Sequence, residues 1–570
     1  MQAMTTQRLA SVFGDALLFR QLTPVRRLLS RFWSPADTSE AMSSGAGRAK
    51  KGKILFIQPQ MNACYCDNQT SAPYAGYRYF SPPLGILTIA GCIPREYDVE
   101  IRDENVRPVE YPTDADIVAI TGSILGNSHI ERVKRLSGYF RRQGKLICLG
   151  GPVANLKPEA VRPYCDVLFE GEGELTWPQF LRDYEIGAYS DSYQQSELID
   201  LSQSPVPRID LINVADYAIG SVQTTRGCPF TCEFCDIIVV YGRKVRKKPI
   251  PQVLREIELW ADAGQQCILF SDDNFVGHRP YVKELLRELI RFNAGRKYPC
   301  YFFSEASVDM AKDRELLELL RDANFFCMYV GIESPRKESL TETHKVQNVH
   351  TDDLVSAVHT IQSYGLFLSG GMIVGFDHDD KEIFDEQYEF LQRSGLLLPQ
   401  LNVLRAMPKT PLYERMKVAG RLLTSSADLI TNIKPVGMTY DELKEGYFGL
   451  LRRVYDHDAF LQRYLQTISC MRGHKFSNDR VRLRWRQTLG ILRMLSYYLL
   501  AADAKTRRFF LRMLVGTMQV NPHAWRWTLR MLVTFIHVHN YSQVEAHEAD
   551  IPVGFNVEGS EVEPVSIGSA

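Results

Sequence analysis

The chain has 570 residues, of which 45% are hydrophobic and 24% are charged, and its 67 Lys and Arg residues balance 67 Asp and Glu residues. This length suggests about three or four domains, and the composition excludes a disordered or a fibrous protein. A net charge of zero argues against a uniformly basic nucleic-acid binder, although the sum does not describe how charge is distributed along the chain.

The cysteines and the N-terminus indicate the compartment. The chain has 12 cysteines, mostly in apolar, strand-like runs, which is typical of reduced cytosolic thiols. The N-terminus has neither the uninterrupted apolar segment nor the small-residue cleavage site of a secretory signal. No run reaches the roughly 18 apolar residues that span a bilayer. We therefore predict a cytoplasmic protein, and any contact with the inner face of the membrane would be peripheral.

Residues 53–187 follow an Arg-rich extension, 1–52, that ends in a small, polar linker. Within 53–187, short apolar strands alternate with helical patterns, which predicts a doubly wound, parallel, Rossmann-like α/β sheet. Ligands of such sheets bind at the carboxyl ends of the strands. Small and polar turns at these ends supply the candidate ligand contacts: Thr121, Gly122, Ser123, Gly150, Gly151, Gly171, Glu172 and Gly173. Tight packing between strands and helices explains such turns equally well.

A second series of strands and helices follows a polar connection at 188–210. Residues 211–425 contain six apolar strands separated by five helical stretches, which predicts a partial (β/α)6 TIM-like barrel with its active site at the strand C-termini. Residues 426–545 are predicted to form a mostly helical, basic region. The last segment, 546–570, is acidic and is predicted to be disordered.

Three cysteines directly after the first barrel strand form the most specific motif. Cys228, Cys232 and Cys235 have the spacing C-x3-C-x2-C, and a thiolate ligand set favours an iron–sulfur cluster or zinc over hard cations. A structural zinc site usually has four ligands, and the fourth is missing here. With three protein ligands, a 4Fe-4S cluster keeps one iron open to a substrate or cofactor, so the spacing indicates catalysis. A zinc site completed by a distant His, or a chance motif, is the alternative.

Taken in order along the chain, the motifs of residues 53–425 resemble the radical S-adenosylmethionine (SAM) superfamily, specifically its cobalamin-dependent class. The three cysteines match the ligands of the 4Fe-4S cluster, and segments 271–275, 331–335 and 370–375 match those that contact SAM. The resemblance implies that these SAM contacts include Asp272, Asp273, Asn274, Ser304, Glu305, Glu333 and Gly375. Asp272 and Asp273 could equally be N-caps of the helix predicted near residue 279, and Glu333 could simply cap a turn.

The Rossmann-like domain resembles the cobalamin-binding module of the same class through residues 82–85 and the turns named above. It departs from the pattern Asp-x-His-x-x-Gly, whose His coordinates cobalt in many cobalamin proteins, because the segment that begins at Asp67 has no such His. The resemblance therefore implies a cobalamin bound without a His from that loop and with its dimethylbenzimidazole tail buried, or else a degenerate domain that binds none. His129 could serve at the lower face of cobalamin, but a polar residue at a helix N-terminus is the simpler interpretation.

The resemblance implies a methyltransferase that acts on an unactivated carbon of a small molecule. A 5′-deoxyadenosyl radical from SAM would remove a hydrogen atom, methylcobalamin would deliver the methyl group, and an external one-electron reductant such as flavodoxin or ferredoxin would be needed. Two alternatives remain. One is radical chemistry without methyl transfer, namely ring formation, desaturation or rearrangement. The other is a membrane-associated iron–sulfur or corrinoid-binding protein without turnover.

Charge is distributed unevenly near the C-terminus. Residues 480–530 contain 11 Lys and Arg but only one acidic residue, Asp503, whereas the last 26 residues contain six acidic and no basic residues. Basic amphipathic helices suit an anionic membrane interface, and a helical cap on the barrel is the alternative. Segments 235–249 and 271–277, together with this long extension, resemble one branch of the class, which includes the hopanoid carbon-2 methyltransferases. That resemblance implies a hydrophobic substrate such as a polycyclic or isoprenoid lipid. Nucleic-acid binding is not expected, because no recognised module is visible.

Overall fold

The computed structural model describes residues 51–61, 69–109, 112–122, 127–195, 197–423, 430–471 and 484–543. These residues form two parallel α/β sheets and a helical C-terminal region. Residues 1–50 of the predicted extension and the predicted acidic tail lie outside the described residues, as do Asp67 and Ser123.

The first sheet has six parallel strands in the order β2-β1-β3-β4-β5-β6. They are β1 (Gly52–Gln58), β2 (Tyr97–Asp103), β3 (Ile117–Thr121), β4 (Leu146–Gly150), β5 (Val167–Glu170) and β6 (Ser192–Gln194). The helices are α1 (Ala72–Ala75), α2 (Leu84–Gly91), α3 (Asn127–Arg142), α4 (Pro152–Leu156), α5 (Pro158–Val161) and α6 (Gly173–Glu185). Residues 54–57 of β1 are all apolar and buried, which is typical of a strand with helices on both faces. The strand order reverses between β1 and β3, where doubly wound sheets bind ligands.

The predicted doubly wound sheet is confirmed, with one difference at its edge. Strand β6 lies in the segment that the sequence assigned to a polar connection. Only Tyr193 of its three residues is buried, and its ring stacks on Phe169 at 5.5 Å between ring centres. Three residues are too few for an alternation of apolar and polar side chains to predict a strand from the sequence.

The second sheet also has six parallel strands, in the order β14-β13-β12-β11-β10-β7. They are β7 (Gly220–Val222), β10 (Cys267–Phe270), β11 (Tyr301–Ala306), β12 (Phe325–Glu333), β13 (Phe367–Val374) and β14 (Leu398–Val403), while β8 (Thr225–Arg226) and β9 (Arg246–Lys247) form a separate antiparallel pair. Neighbouring strands follow chain order, and β7 and β14 remain at opposite edges. The sheet is therefore the predicted partial barrel, and the loops after its strands meet at one edge.

The helices of the barrel are α7 (Ile237–Val240), α8 (Ile250–Asp262), α9 (Arg279–Ala294), α10 (Arg314–Asp322), α11 (Lys337–Glu342), α12 (Val346–Val349), α13 (Leu354–Ser363), α14 (Ile383–Ser394) and α15 (Pro411–Val418). The five longer helices between strands lie where the sequence predicted them. Helices α11 and α12 were not predicted, because they have only six and four residues and little apolar periodicity.

The C-terminal region contains α16 (Tyr440–Val454), α17 (His457–Cys470), α18 (Trp485–Ser496), α19 (Ala504–Val520) and α20 (Trp525–Ser542). Helix α20 packs on the barrel through Trp527, whose ring centre lies 4.9 Å from those of Phe326 and Phe367. Arg530 lies over the Tyr301 ring and donates to its hydroxyl over 3.2 Å. The region is thus a helical cap on the barrel. Among the described residues, every helix is too short or too polar to span a bilayer.

A buried histidine, packed against a second, partly buried one, should make this cap sensitive to acid. His457 is 5% exposed, and its ring centre lies 4.5 Å from that of His539. Burial lowers the pKa of His457 from 6.5 to about 4. The unfolded chain binds a proton below about pH 6.5 where the folded chain does not, so stability is lost as the pH falls from there towards about 4. We expect this residue alone to account for up to about 3 kcal/mol of that loss.

Acid titration of the free energy of unfolding tests this expectation. The substitution His457→Gln should flatten the dependence on pH between about 6.5 and about 4. The matched control is His523→Gln, which replaces an exposed histidine of the same region and should leave the dependence unchanged. If both variants lose stability with acid as steeply as the parent chain, His457 is not the sensitive group.

Candidate active site

The cysteine loop lies at the carboxyl edge of the second sheet, directly after β8. Cys228 and Cys235 are partly buried, Cys232 is buried, and all three are free thiols. Gly227 has a φ of +91°, and a Cβ there would lie 2.6 Å from the Lys244 carbonyl oxygen, so a side chain would not fit this turn. The three cysteines therefore lie on a loop at the strand C-termini, where the sequence predicted them.

Side-chain amides point at two of the sulfur atoms. Asn274 Nδ2 donates to Cys228 Sγ over 3.9 Å, and Gln347 Nε2 donates to Cys232 Sγ over 3.6 Å. Among the described residues, the buried Asn274 Oδ1 and Gln347 Oε1 have no hydrogen-bond partner. Donors beside sulfur stabilise thiolates, and the two oxygens remain able to accept from a bound group. The loop thus fits a thiolate-ligated iron–sulfur cluster with a polar ligand beside it.

The three thiols are not gathered around a single point. No three His, Cys, Asp or Glu side chains within the described ranges converge closely enough to hold one metal ion. In a 4Fe-4S cluster each thiolate binds a different iron, so the ligands lie farther apart than around one ion. The assignment of the three cysteines to a cluster therefore stays a prediction that rests on their loop and its donors.

Lys345 lies beside the cysteine loop and was not predicted from the sequence. Its ammonium donates to Glu333 Oε1 over 2.6 Å and lies 5.8 Å from the centre of the Phe234 ring. Burial opposes its charge, but Glu333 and the Cys232 and Cys235 thiols raise the pKa of Lys345 to about 12. A lasting positive charge next to these sulfur atoms favours thiolates and favours an added electron on a bound cluster.

Removing this charge should make the cluster harder to reduce. In Lys345→Met the midpoint reduction potential of the reconstituted cluster should become more negative, because a nearby cation no longer stabilises the reduced form. Lys345→Arg keeps the charge and should keep the potential close to that of the parent chain. A potentiometric titration followed by electron paramagnetic resonance measures both. Equal potentials in the Met and Arg variants would contradict an electrostatic role.

Glu333 ends β12 in a conformation that few residues other than glycine adopt, with a φ of +66°. A Cβ at Gly331 would lie 2.2 Å from Glu333 Oε1, and one at Gly371 would lie 3.2 Å from Glu333 Oε2. The two glycines therefore make room for the carboxylate that holds Lys345. Strained backbone of this kind persists where the surroundings fix it, as in functional sites. The interpretation of Glu333 as a simple turn cap does not account for this pairing.

The two aspartates after β10 are hydrogen-bonded, and Asp272 is buried while Asp273 is partly buried. Asp272 accepts from the Thr224 backbone N–H over 2.6 Å and from Thr225 Oγ1 over 2.9 Å. Asp273 accepts from the Gly227 N–H over 2.7 Å, and burial raises its pKa to about 6. Neither aspartate caps α9, whose N-cap is His278, so the alternative that they are helix caps is wrong. Both stay predicted SAM contacts, and Asp273 also supports the start of the cysteine loop.

The other predicted SAM contacts lie at the ends of β11 and β13. Ser304 Oγ is buried and donates to the Phe270 carbonyl over 2.7 Å. Glu305 has a solvent-accessible side chain, but surrounding protein and the two aspartates raise its pKa to about 7. Gly375 has a φ of +96° and donates its N–H to Asp379 Oδ2 over 2.8 Å. Among the predicted SAM contacts, Glu305 has the carboxylate that is most accessible to a cationic ligand.

The small turns of the first sheet lie at the carboxyl ends of β3, β4 and β5, as predicted. Packing explains most of their glycines. A Cβ would lie 2.2 Å from Val153 Cγ1 at Gly122, 2.6 Å from Thr121 Oγ1 at Gly151, 2.9 Å from Gln195 Cβ at Gly171 and 2.8 Å from Ile89 Cδ1 at Gly173. At Gly150 the nearest atom would be 3.5 Å away, so this position is less constrained. The glycines thus need no ligand to account for them, and their contact with cobalamin stays a prediction.

A buried ion-pair network joins the first sheet to the cysteine loop. Arg226, two residues before Cys228, donates to Glu172 Oε1 over 3.0 Å and to Glu174 Oε1 over 2.5 Å. Glu172 Oε2 also accepts from Arg246 Nη1 over 2.8 Å. The Glu172 side chain is 2% exposed, and its two oxygens are occupied by arginines. The carboxylate of Glu172 therefore joins the end of β5 to the cysteine loop, and its contact with a cofactor stays a prediction.

A cavity of about 280 Å³ lies between the carboxyl edge of the first sheet and α7. The amide side chains of Asn155, Gln194 and Gln195 line it together with Leu198, Val239 and Val240, and so do the charged residues Glu170, Glu172, Glu197 and Lys409. Amides can pair with the amide groups at the rim of a corrinoid, but a cavity of this volume is smaller than a corrinoid and its lining is partly charged, so cobalamin binding here stays a prediction. His129 is buried beside Gln60 and Thr121, at the ends of β1 and β3, and burial lowers its pKa.

Comparisons with known proteins agree with this arrangement. A family model described as the radical SAM superfamily matches residues 222–391, and one described as a domain of unknown function matches 410–550. The chain is 36% identical over 421 residues to an uncharacterised methyltransferase of Synechocystis, a match that covers 72% of this chain and 77% of that protein. It is 30% identical over 437 residues to the hopanoid C-2 methylase of Rhodopseudomonas palustris, covering 74% and 80%.

The fold is similar to that of OxsB, a cobalamin-dependent SAM radical enzyme whose structure contains aqua-cobalamin and SAM. The TM-score is 0.55 at 15% identity, and the match covers 85% of this chain and 84% of that one. The overall fold is therefore shared with a solved structure over most of both chains.

Proposed function

This chain belongs to the cobalamin-dependent methyltransferases of the radical SAM superfamily, and on that premise we propose that it transfers a methyl group to an unactivated carbon of a hydrophobic small molecule. One observation supports this most strongly: Arg226 ties the cysteine loop to the carboxyl edge of the first sheet. In this proposal residues 53–187 bind cobalamin and residues 211–425 bind the cluster and SAM. When bound, the cluster and SAM supply the radical that removes a substrate hydrogen, and cobalamin carries the methyl group.

The side chains around this junction bind and orient the reactants. Asp273 and Glu305 offer carboxylates to a cationic ligand, and Asn274 Oδ1 offers a buried acceptor next to Cys228. The surrounding protein raises the pKa of both carboxyls above the usual range. On the other side, Val239 and Val240 offer apolar contacts to a ligand in the cavity.

Product analysis tests methyl transfer directly. The anaerobically reconstituted protein, supplied with SAM, cobalamin and a one-electron reductant, should release both 5′-deoxyadenosine and S-adenosylhomocysteine when its substrate is present. 5′-Deoxyadenosine without S-adenosylhomocysteine would instead support ring formation, desaturation or rearrangement. Profiling lipids and metabolites of a host with and without the gene identifies the substrate, which should differ from its product by one methyl group.

A membrane is the proposed source of this hydrophobic substrate. The cap exposes apolar side chains at positions i, i+4 and i+7 of both α18 and α19, on the faces opposite those that pack inward. Exposed arginines such as Arg493 and Arg508 lie among them. We define the apolar ridge as these exposed residues: Trp485, Leu489, Leu492, Leu499, Leu500, Leu511, Val515, Met518 and Trp525. Apolar side chains interleaved with arginine suit an anionic bilayer surface.

Binding to vesicles tests the membrane contact. The parent chain should sediment with vesicles of phosphatidylcholine containing about 30% phosphatidylglycerol, and less with phosphatidylcholine alone. Replacing Trp485, Leu500 and Met518 together by Ser should lower vesicle binding by about tenfold or more, since each side chain loses its burial in the interface. The matched control replaces Ile186, Val418 and Val436 by Ser, which are 77%, 88% and 62% exposed but lie outside the ridge. Equal loss in both triple variants would contradict the proposal.

A further inference from the structure

The loop between α7 and β9 is strongly basic, and its basic residues fall into two groups. Arg246 and Lys248 are buried and paired, with Arg246 Nη1 2.8 Å from Glu172 and Lys248 Nζ 2.8 Å from Glu256. Arg243, Lys244 and Lys247 are exposed. Within the described ranges none of the three forms an ion pair, although Glu197 and Asp200 are exposed on the adjoining segment. The loop is thus anchored by two basic residues and presents three others to solvent.

The backbone that carries this basic surface is in direct contact with the cysteine loop. The Cys228 N–H donates to the Gly242 carbonyl over 3.3 Å. The Lys244 carbonyl lies against Gly227, where there is no room for a side chain. In the antiparallel pair of β8 and β9, Thr225 lies opposite Lys247. A protein that contacts the exposed side chains would therefore be separated from the first cluster ligand only by this loop.

We propose that Arg243, Lys244 and Lys247 form the docking surface for a small acidic one-electron carrier protein that reduces the cluster. This inference rests on the proposed function, because only a cluster that cycles needs such a carrier. The carrier loses one electron and the cluster gains it, and no bond is formed or broken. Complementary charge brings such partners together quickly and orients them without a large apolar interface. Residues 243–247 expose no large apolar side chain, although Leu198 and Val239 beside the loop are 49% and 37% exposed. The loop itself therefore suits a polar protein rather than a bilayer.

Charge reversal distinguishes docking from chemistry. The variant Arg243→Glu/Lys244→Glu/Lys247→Glu should be reduced by flavodoxin hydroquinone about tenfold or more slowly than the parent chain, as followed by bleaching of the cluster absorbance. With dithionite, a small reductant that needs no docking surface, the two proteins should be reduced at rates within about twofold of each other. The rate of the parent chain with flavodoxin should also fall as salt rises from about 50 mM to about 500 mM, while that of the variant should hardly change.

The control reverses the charge of Arg135, Arg142 and Lys297. Arg135 and Arg142 lie on α3, and Lys297 follows α9. All three are exposed, and none forms an ion pair among the described residues. This control should be reduced by flavodoxin like the parent chain. Equal reduction of the Arg243 triple variant and the parent by flavodoxin, or an equal loss with dithionite, overturns the proposal. Because these readouts follow cluster reduction and not methylation, absence of a methylated product would refute the proposed function while leaving the docking result intact.

Discussion

Replacing Cys228, Cys232 or Cys235 by Ala should abolish SAM cleavage and remove the iron–sulfur absorbance of the reconstituted protein. The three thiols lie on one loop, and no other His, Cys, Asp or Glu among the described residues completes a metal site with them. Loss of one thiol therefore leaves a cluster with two protein ligands. Removing only a hydrogen-bond partner of a metal ligand costs about 10- to 100-fold, so loss of a ligand itself should exceed about 100-fold.

The control for these variants is a cysteine of similar burial that lies away from the loop. Cys470 is partly buried at the end of α17, and Cys470→Ala should keep both the absorbance and SAM cleavage. Iron content per chain and the electron paramagnetic resonance spectrum of the reduced protein separate loss of the cluster from loss of activity alone. A Cys228→Ala, Cys232→Ala or Cys235→Ala variant that retains a four-iron cluster and cleaves SAM would refute the assignment.

The fold was predictable wherever a strand is apolar on both faces. Residues 54–57 and 117–120 are buried throughout, and each such run is followed by a helical pattern, so the parallel sheets follow from the chain itself. The prediction failed where an element depends on a distant partner. Strand β6 is a polar tripeptide that becomes a strand only because β5 lies beside it. Of the two interpretations of the C-terminal helices, the structure shows the helical cap, because Trp527 packs on the barrel, whereas contact with a membrane stays a prediction.

The site was predictable where its chemistry is local in sequence. The cysteine spacing is such a case, because all three ligands lie within eight residues. Lys345 is the opposite case, since its significance comes from an ion pair with Glu333, 12 residues away, and from burial beside the cysteine loop. Glu172 stands in a Gly-rich turn that resembles a ligand contact, yet its partners Arg226 and Arg246 are 54 and 74 residues away. Pairing over such separations leaves no local pattern.

Arg226→Met should lower the free energy of unfolding by about 3–5 kcal/mol, the usual cost of removing one member of a buried ion pair. The Arg226 side chain is 11% exposed, and those of Glu172 and Glu174 are 2% and 4% exposed. Without the guanidinium, Glu172 still pairs with Arg246. Among the described residues, Glu174 then retains only the Ser204 hydroxyl, 3.4 Å away, as a side-chain hydrogen-bond partner in the interior. Chemical denaturation measures the loss, and the accompanying displacement of Cys228 should weaken assembly of the cluster.

Two further variants show whether the effect comes from the buried charge. Arg208→Met removes a solvent-exposed pair with Asp210, and it should cost less than about 1 kcal/mol. Arg226→Met/Glu174→Gln removes the stranded carboxylate together with its partner, so it should recover much of the lost stability, because an unpaired buried charge costs more than its neutral replacement. If the double variant is as unstable as the single one, the network acts through the shape of Arg226 and not through its charge. If it is restored in stability but still assembles the cluster poorly, then Arg226 has a separate role in placing Cys228 against the carboxyl edge of the first sheet.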